Sequence, residues 1–179
     1  MAFDPPRRPQ ESRQRLLLLL IFEKLGRMSD MQLLQFLFDN DLMNYFEMMF
    51  TLNDLCDQGL LVSAQRFDQT FYQLTDAGRE TLSMFENRLP VSQRELIDSL
   101  LPQWQERIQR EQVFMSDYHQ TKRGEYELHL RVMEQDMEMM HVTLSLPSEE
   151  IAKTMKENWP EKAQQLYAGL FESLGEKKQ

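Results

Sequence analysis

The chain has 179 residues, 41% of them apolar and 27% charged, with a net charge of −9 and a pI near 4.9. That length suits one domain or two small ones with enough chain to bury a core. The charge excludes a non-specific nucleic-acid binder, which needs clustered cations to neutralise phosphates. It is spread evenly too: residues 1–90 hold nine Lys/Arg against thirteen Asp/Glu, and residues 91–179 eleven against sixteen.

Residues 1–11, with Pro5, Pro6 and Pro9, read as a disordered arm. Arg7, Arg8, Arg13 and Arg15 make this end the one local excess of positive charge. A first helix is expected from Ser12 to Gly26, a residue suited to a C-cap. Its middle, Leu16 to Phe22, is apolar on every side, so it must be buried on more than one face. Either the second face meets another subunit or the C-terminal segment, or the helix is central within one chain. The run is shorter than the roughly 20 residues of a membrane span. No small-residue cleavage site follows it, so no signal peptide is expected.

Ser29-Asp30 caps a second helix reaching about Phe38, with Met31, Leu34 and Leu37 or their neighbours inward. Asp39-Asn40-Asp41 is a turn. A third helix spans Asn44 to Gln58 and stops at Gly59. Leu60–Ala64 and Thr70–Leu74 read as short strands joined by a hairpin-length loop. Thr75 or Asp76 caps a fourth helix that runs to about Leu89, before Pro90. A further helix from Ser92 to Gln112 contains Pro102, expected to kink or divide it.

Strands are expected over 113–119, 125–134 and 138–146. Tyr126, Leu128, Leu130 and Val132 alternate with Glu127, His129 and Arg131, the period-two mark of a half-buried strand. A last helix starts after Pro147 with Ser148 as cap. Trp159-Pro160 is expected to break it, with another helix to Leu174. The lone Cys56 excludes an intramolecular disulfide, fits a reducing cytoplasm, and reads as a small buried hydrophobe.

Helix-turn-helix spacing, a hairpin after Gly59, and Leu74-Thr75-x-x-Gly78-Arg79 together indicate a winged helix-turn-helix. The stretch Tyr72-x-Leu74-Thr75-x-x-Gly78-Arg79-x-x-Leu82 is similar to the strand-to-helix junction of MarR and PadR regulators. The whole chain resembles an uncharacterised winged-helix family of low-GC Gram-positive bacteria, a domain of unknown function. The residues that carry this are Asn44-Tyr45-Phe46, Leu55-x-x-x-Gly59-Leu60, Thr75-Asp76-Ala77-Gly78, Phe85-x-x-Arg88-Leu89-Pro90, and Asn158-Trp159 with Ala163 and Tyr167. The resemblance implies a presumed regulatory protein with no established activity. The resulting organisation is α+β: an arm at 1–11, a winged helix-turn-helix at 12–90, a connector helix at 91–112, and a C-terminal α+β segment at 113–179. That last segment is a small antiparallel sheet packed with helices, suited to dimerisation or sensing.

The third helix is the one expected to read DNA. A helical projection puts Tyr45, Met48, Met49, Leu52, Leu55 and Cys56 on the core face. Phe46, Phe50, Asn53 and Asp57 fall opposite, flanked by Glu47 and Asp54. The helix has no Lys or Arg, so its acids repel a polyanion. Two readings follow. In one, the protein is a dimeric, cytoplasmic, DNA-binding transcriptional regulator. Asn44, Glu47, Thr51, Asn53, the wing residue Arg66, and Arg7, Arg8, Arg13 and Arg15 then meet double-stranded DNA. In the other, it is an interaction module without DNA, binding a protein partner through Phe46, Phe50, Asp54 and Asp57. Packing of either phenylalanine on the C-terminal segment of the same chain is a third use. The homodimer is expected from Leu16–Phe22 and from Leu166, Tyr167, Leu170, Phe171 and Leu174 at helical spacing.

Enzyme motifs are missing: no Gly-rich phosphate loop, no Gly-x-Ser-x-Gly elbow, no Cys-x-x-Cys or His-x-x-x-His pair. The sequence therefore reads as a non-enzyme with no cofactor. His119, His129 and His141 all lie in the C-terminal strand region. Pairing about Gln135-Asp136 puts residues summing to 270–272 opposite, which makes His129 and His141 cross-strand neighbours. A metal site there needs a third ligand, Asp117 or Glu127; solvent-facing polar positions are the simpler reading, so no metal is expected.

Overall fold

A computed structural model describes residues 8–67 and 69–175 of the chain. It is a mixed helix-and-sheet protein with two small antiparallel sheets, divided into two compact units, one up to Ile108 and one from Gln109. The first unit holds α1 (Arg8–Leu25), β1 (Met28–Ser29), α2 (Asp30–Asp39), α3 (Tyr45–Asp57), β2 (Leu61–Arg66), β3 (Gln69–Leu74), α4 (Asp76–Phe85) and a 3₁₀ turn at Glu86–Arg88. Most of α5 (Val91–Val113) also belongs to it. The second unit holds β4 (Phe114–Gln120), β5 (Tyr126–Glu134), β6 (Met137–Leu146) and α6 (Glu149–Gly175).

Helix α1 begins at Arg8, four residues before the expected Ser12, so Arg8–Glu11 of the expected arm are helical. Pro9 permits this, because a proline in the first turn has no N–H to lose. Residues 1–7 lie outside the described part. Leu16 through Phe22 are each at most 8% exposed and belong to the first unit's own core, with Leu33, Phe36, Leu52, Leu55, Tyr72, Leu82 and Trp104. The all-round apolar run is thus central to one unit and offers no face to a second subunit. Each such Leu, Ile or Phe contributes about 1.5–3 kcal/mol by burial.

Ser29 caps α2 in a reciprocal box: its hydroxyl accepts from the Gln32 N–H, and the Gln32 side chain accepts from the Ser29 N–H. The cap sets the helix phase, so Gln32, Leu33, Phe36 and Leu37 turn inward while Met31 stays exposed. Leu37 is thus buried and Leu34 half-buried as expected, while the place expected for Met31 is taken by its neighbour Gln32. Phe36 meets Trp104 edge-on at 5.0 Å.

The first sheet runs β1-β3-β2. The two-residue strand β1, not expected from the sequence, pairs Met28 with Tyr72 and Ser29 with Phe71. Strands β2 and β3 are longer than expected and pair as far as Arg66 opposite Gln69, leaving only Phe67 and Asp68 between them. Phe67 sits at φ 53°.

The Leu-Thr-x-x-Gly junction has a physical basis. The Thr75 N–H donates to the Leu60 carbonyl at 3.1 Å, and its hydroxyl donates toward the Gly59 and Leu60 carbonyls at 2.8 and 3.0 Å. The same oxygen accepts from the Gly78 N–H at 3.1 Å, capping α4. Gly78 packs on this crossing: a Cβ there would collide with the Leu60 carbonyl oxygen and come within 2.6 Å of Leu74 Cδ1.

In the second unit the strand order is β4-β5-β6. Leu128, Leu130 and Val132 of β5 form its core with Trp159 and Ala163 of α6. Pro102 sits inside a continuous α5, and Pro160 inside a continuous α6 of 27 residues, where a break was expected. A proline at 160 frees the Lys156 carbonyl. Ser116 Oγ of β4 donates to that carbonyl at 3.5 Å, and the Trp159 indole N–H donates to the Arg131 carbonyl at 3.2 Å. Both bonds tie the turn before the proline to the sheet, and Ala163 packs into the same core after it, which offsets the lost helix bond.

Candidate functional site

Helix α3 is fixed by its own N-terminus. Asn44 is the N-cap, its side chain accepting from the Glu47 N–H at 3.0 Å, and Glu47 accepts from the Asn44 N–H at 3.2 Å. Two of the polar residues expected to meet DNA therefore hold the helix start. Thr51 is only 3% exposed, and its hydroxyl donates to the Glu47 carbonyl at 2.7 Å, so it presents nothing at the surface. Asn53 and Asp57 are exposed. Asp54 pairs with Arg15 of α1.

Phe46 is 81% exposed and Phe50 62%. Tyr45, expected in the core, is half exposed and meets Phe46 edge-on at 5.6 Å. Phe46 and Phe50 line a groove of about 370 Å³ with Gln10, Glu11 and Gln14 of α1 and with Glu47. The inner face of α3 is Met48, Leu52 and Leu55, with Met49 and Cys56 half-buried. Burial raises the Cys56 thiol above its usual value of 9.0; a bond with Ser63 opposes this and the charge on Asp57 adds to it. The thiol stays protonated and unreactive at neutral pH. Burial likewise raises the Tyr72 phenol, with smaller pushes from Cys56, Asp30 and Tyr45.

The arginines divide. Arg13 is exposed on α1. Arg15 is committed to Asp54. Arg66 ends β2 and stacks over the Phe67 ring at 5.6 Å. Arg8 opens α1, but its side chain, like Arg7 as a whole, lies outside the described part. Arg13, Arg15 and Arg88 border a separate groove of about 630 Å³ that has an apolar floor of Leu16, Leu19, Leu60 and Phe85.

On the second sheet the expected pairing sum holds: His129 lies opposite Thr143, and Arg131 opposite His141, both summing to 272. His129 and His141 are diagonal neighbours on the face away from α6, their ring nitrogens 3.0 Å apart. The β4–β5 register adds His119, opposite Glu127, which the sequence reading did not group with them. The signal was there in the period of two on β5, but it needed the register of a hairpin with a five-residue turn.

The model of a domain of unknown function, DUF4364, matches residues 14–174. The chain belongs to the DUF4364 family. No curated protein and no solved structure matches it. The DUF4364 match begins within α1 and ends within α6, so both units belong to the family's common body. The resemblance read from the sequence is met at that level, a domain of unknown function. No helix among the described residues of this DUF4364 chain is long and apolar enough to cross a membrane.

Proposed function

We propose that residues 12–90 are a winged helix-turn-helix that works by protein contact through α3, rather than by reading DNA. The observation that carries this is the Phe46/Phe50 pair, one helical turn apart and open on a helix without a single cation. Burying two phenylalanines on a partner is favourable, whereas a phosphate backbone gains nothing from them. Asn44, Glu47 and Thr51 are spent within the helix, which leaves Asn53 as the one uncharged polar group of the expected DNA set on its outer face. The groove beside the pair is edged by Glu11 and Glu47, and Asp57 is exposed on the same helix. The fitting partner is an amphipathic helix with apolar anchors and basic flanks.

Two measurements test this together. A photo-crosslinking residue at Phe46 in producing cells is expected to give one discrete protein adduct, lost with Phe50→Ser and with Asp57→Lys. Anisotropy with genomic DNA fragments, the protein's own promoter among them, is expected to show no fragment-selective binding even at low salt. Tight, salt-sensitive DNA binding would overturn the reading.

The second reading is a DNA-binding transcriptional regulator acting as a dimer. It is favoured by the order α2-α3-hairpin with sheet order β1-β3-β2, and by Arg66 at the hairpin end with Arg13 exposed on α1. On that reading Arg66→Ala weakens binding across all sequences and lowers its salt dependence.

A further inference from the structure

We infer that the outer face of the second sheet is a binding site for a divalent transition-metal cation of the Zn²⁺ type, held by His119, Glu127 and His129. The inference is independent of how α3 is used. All three histidines of the chain lie on this one face. Strand β5 supplies Glu127 and His129 two residues apart, so both project the same way. The register of β4 sets His119 directly opposite Glu127. One donor atom from each of the three lies within 4.8 Å of the other two, and this is the one such group among the described residues.

The spacing is close to that of a first coordination shell. His129 Nε2 is 3.2 Å from Glu127 Oε1. Metal bonds of 2.0–2.1 Å at tetrahedral angles put ligand atoms about 3.3 Å apart. The His119 ring lies stacked on His129 with centroids 5.5 Å apart, and being exposed it can close the remaining gap by rotation. Two imidazoles and a carboxylate select a borderline cation over Mg²⁺ or Ca²⁺, which prefer all-oxygen shells. Three protein ligands leave a position open for water or an exchangeable ligand.

The other nitrogen of His129 is already oriented. Its Nδ1 is 3.0 Å from His141 Nε2 and 3.2 Å from Thr143 Oγ1. His141 Nδ1 in turn faces Glu138 Oε1 at 3.5 Å. With Nδ1–H of His141 donated to Glu138 and Nδ1–H of His129 donated to His141, the lone pair of His129 Nε2 points at the site. His141 is thus a positioning residue. Arg131 decides between the two carboxylates considered for the third ligand: it is buried and paired with Asp117 and Glu138, which leaves Glu127 for the cation.

The test uses the full chain without a polyhistidine tag, stripped with chelator and titrated with ZnCl₂ by calorimetry. Co²⁺ is the optical probe. One equivalent is expected to bind at micromolar or lower concentration, unaffected by excess Mg²⁺, and to raise the melting temperature of the second unit. His129→Ala and Glu127→Gln are expected to abolish that equivalent, and His141→Ala to weaken it about 10–100-fold. Circular dichroism checks that each variant folds. No saturable equivalent in the parent, equal affinity in folded His129→Ala, or a Co²⁺–thiolate band pointing to Cys56 would overturn the inference.

Discussion

Replacing Gly78 by alanine sets two effects of opposite sign against each other. In an exposed helix the change stabilises by about 1 kcal/mol, because glycine is the poorer helix former. Gly78 is buried, though, and its added methyl meets the Leu60 carbonyl and Leu74 Cδ1. The carbonyl is backbone and cannot rotate away. Relieving the overlap costs about 1–3 kcal/mol as overpacking. It also stretches the Thr75 N–H bond to that carbonyl, worth about another 1 kcal/mol. The net is a loss of about 1–3 kcal/mol, a shift in urea midpoint on the order of 1 M.

Each unit holds one buried tryptophan, Trp104 in the first and Trp159 in the second. A Trp159→Phe background therefore reads the first unit alone by fluorescence. Gly169 of α6, read through Trp159 in a Trp104→Phe background, is the control, since a methyl there meets nothing within 4 Å. Gly169→Ala is expected to stabilise the second unit by up to about 1 kcal/mol. An unchanged or higher midpoint for Gly78→Ala would refute the account of the junction.

Asn44→Ala, a change outside both cores, is expected to cost the first unit about 1 kcal/mol by removing the α3 cap, as is Thr75→Ala for α4; urea denaturation reads both. Cys56 and Tyr72 have raised pKa values in the fold, so the stability they confer is fully present below about pH 9 and declines as pH rises through the raised values. Midpoints measured between pH 8 and 11 are expected to fall, and to fall less steeply in Tyr72→Phe. Leu166, Leu170, Phe171 and Leu174 form an exposed stripe on α6, so light scattering at micromolar concentration is expected to give a dimer, and Leu170→Glu with Phe171→Glu a monomer. A monomeric parent would rule that interface out.

Local chemistry was the most legible part of the sequence. Ser29, Asn44 and the pair Thr75-Asp76 mark three helix starts, and the structure uses Ser29, Asn44 and Thr75 as the caps. The alternation along β5 and the pairing sum for β5 and β6 were readable for the same reason: a period of two leaves few choices. What stayed hidden depends on partners far away in the chain. Strand β1 exists only because β3 pairs with it. Proline propensity argues for a break at Pro160, and contacts to β4 and β5 override it. At the candidate interface, exposure of Phe46 and Phe50 followed from helical projection. The roles of Asn44, Glu47 and Thr51 did not, because residues polar enough to touch a ligand are also polar enough to hold a helix end.

The bond from Ser116 to the Lys156 carbonyl gives α6 a history as well as a geometry. Cut from the sheet, residues 149–175 divide at Pro160 into two pieces, neither much longer than the roughly 12–15 residues below which an isolated helix is marginal in water. During synthesis β4, β5 and β6 leave the ribosome before Pro160, so the strands that hold the unbroken helix are available when the proline arrives. The order of the elements along the chain is then also an order of dependence. A truncation between Leu146 and Glu149 leaves a sheet with an uncovered apolar face and a peptide that does not hold its own shape.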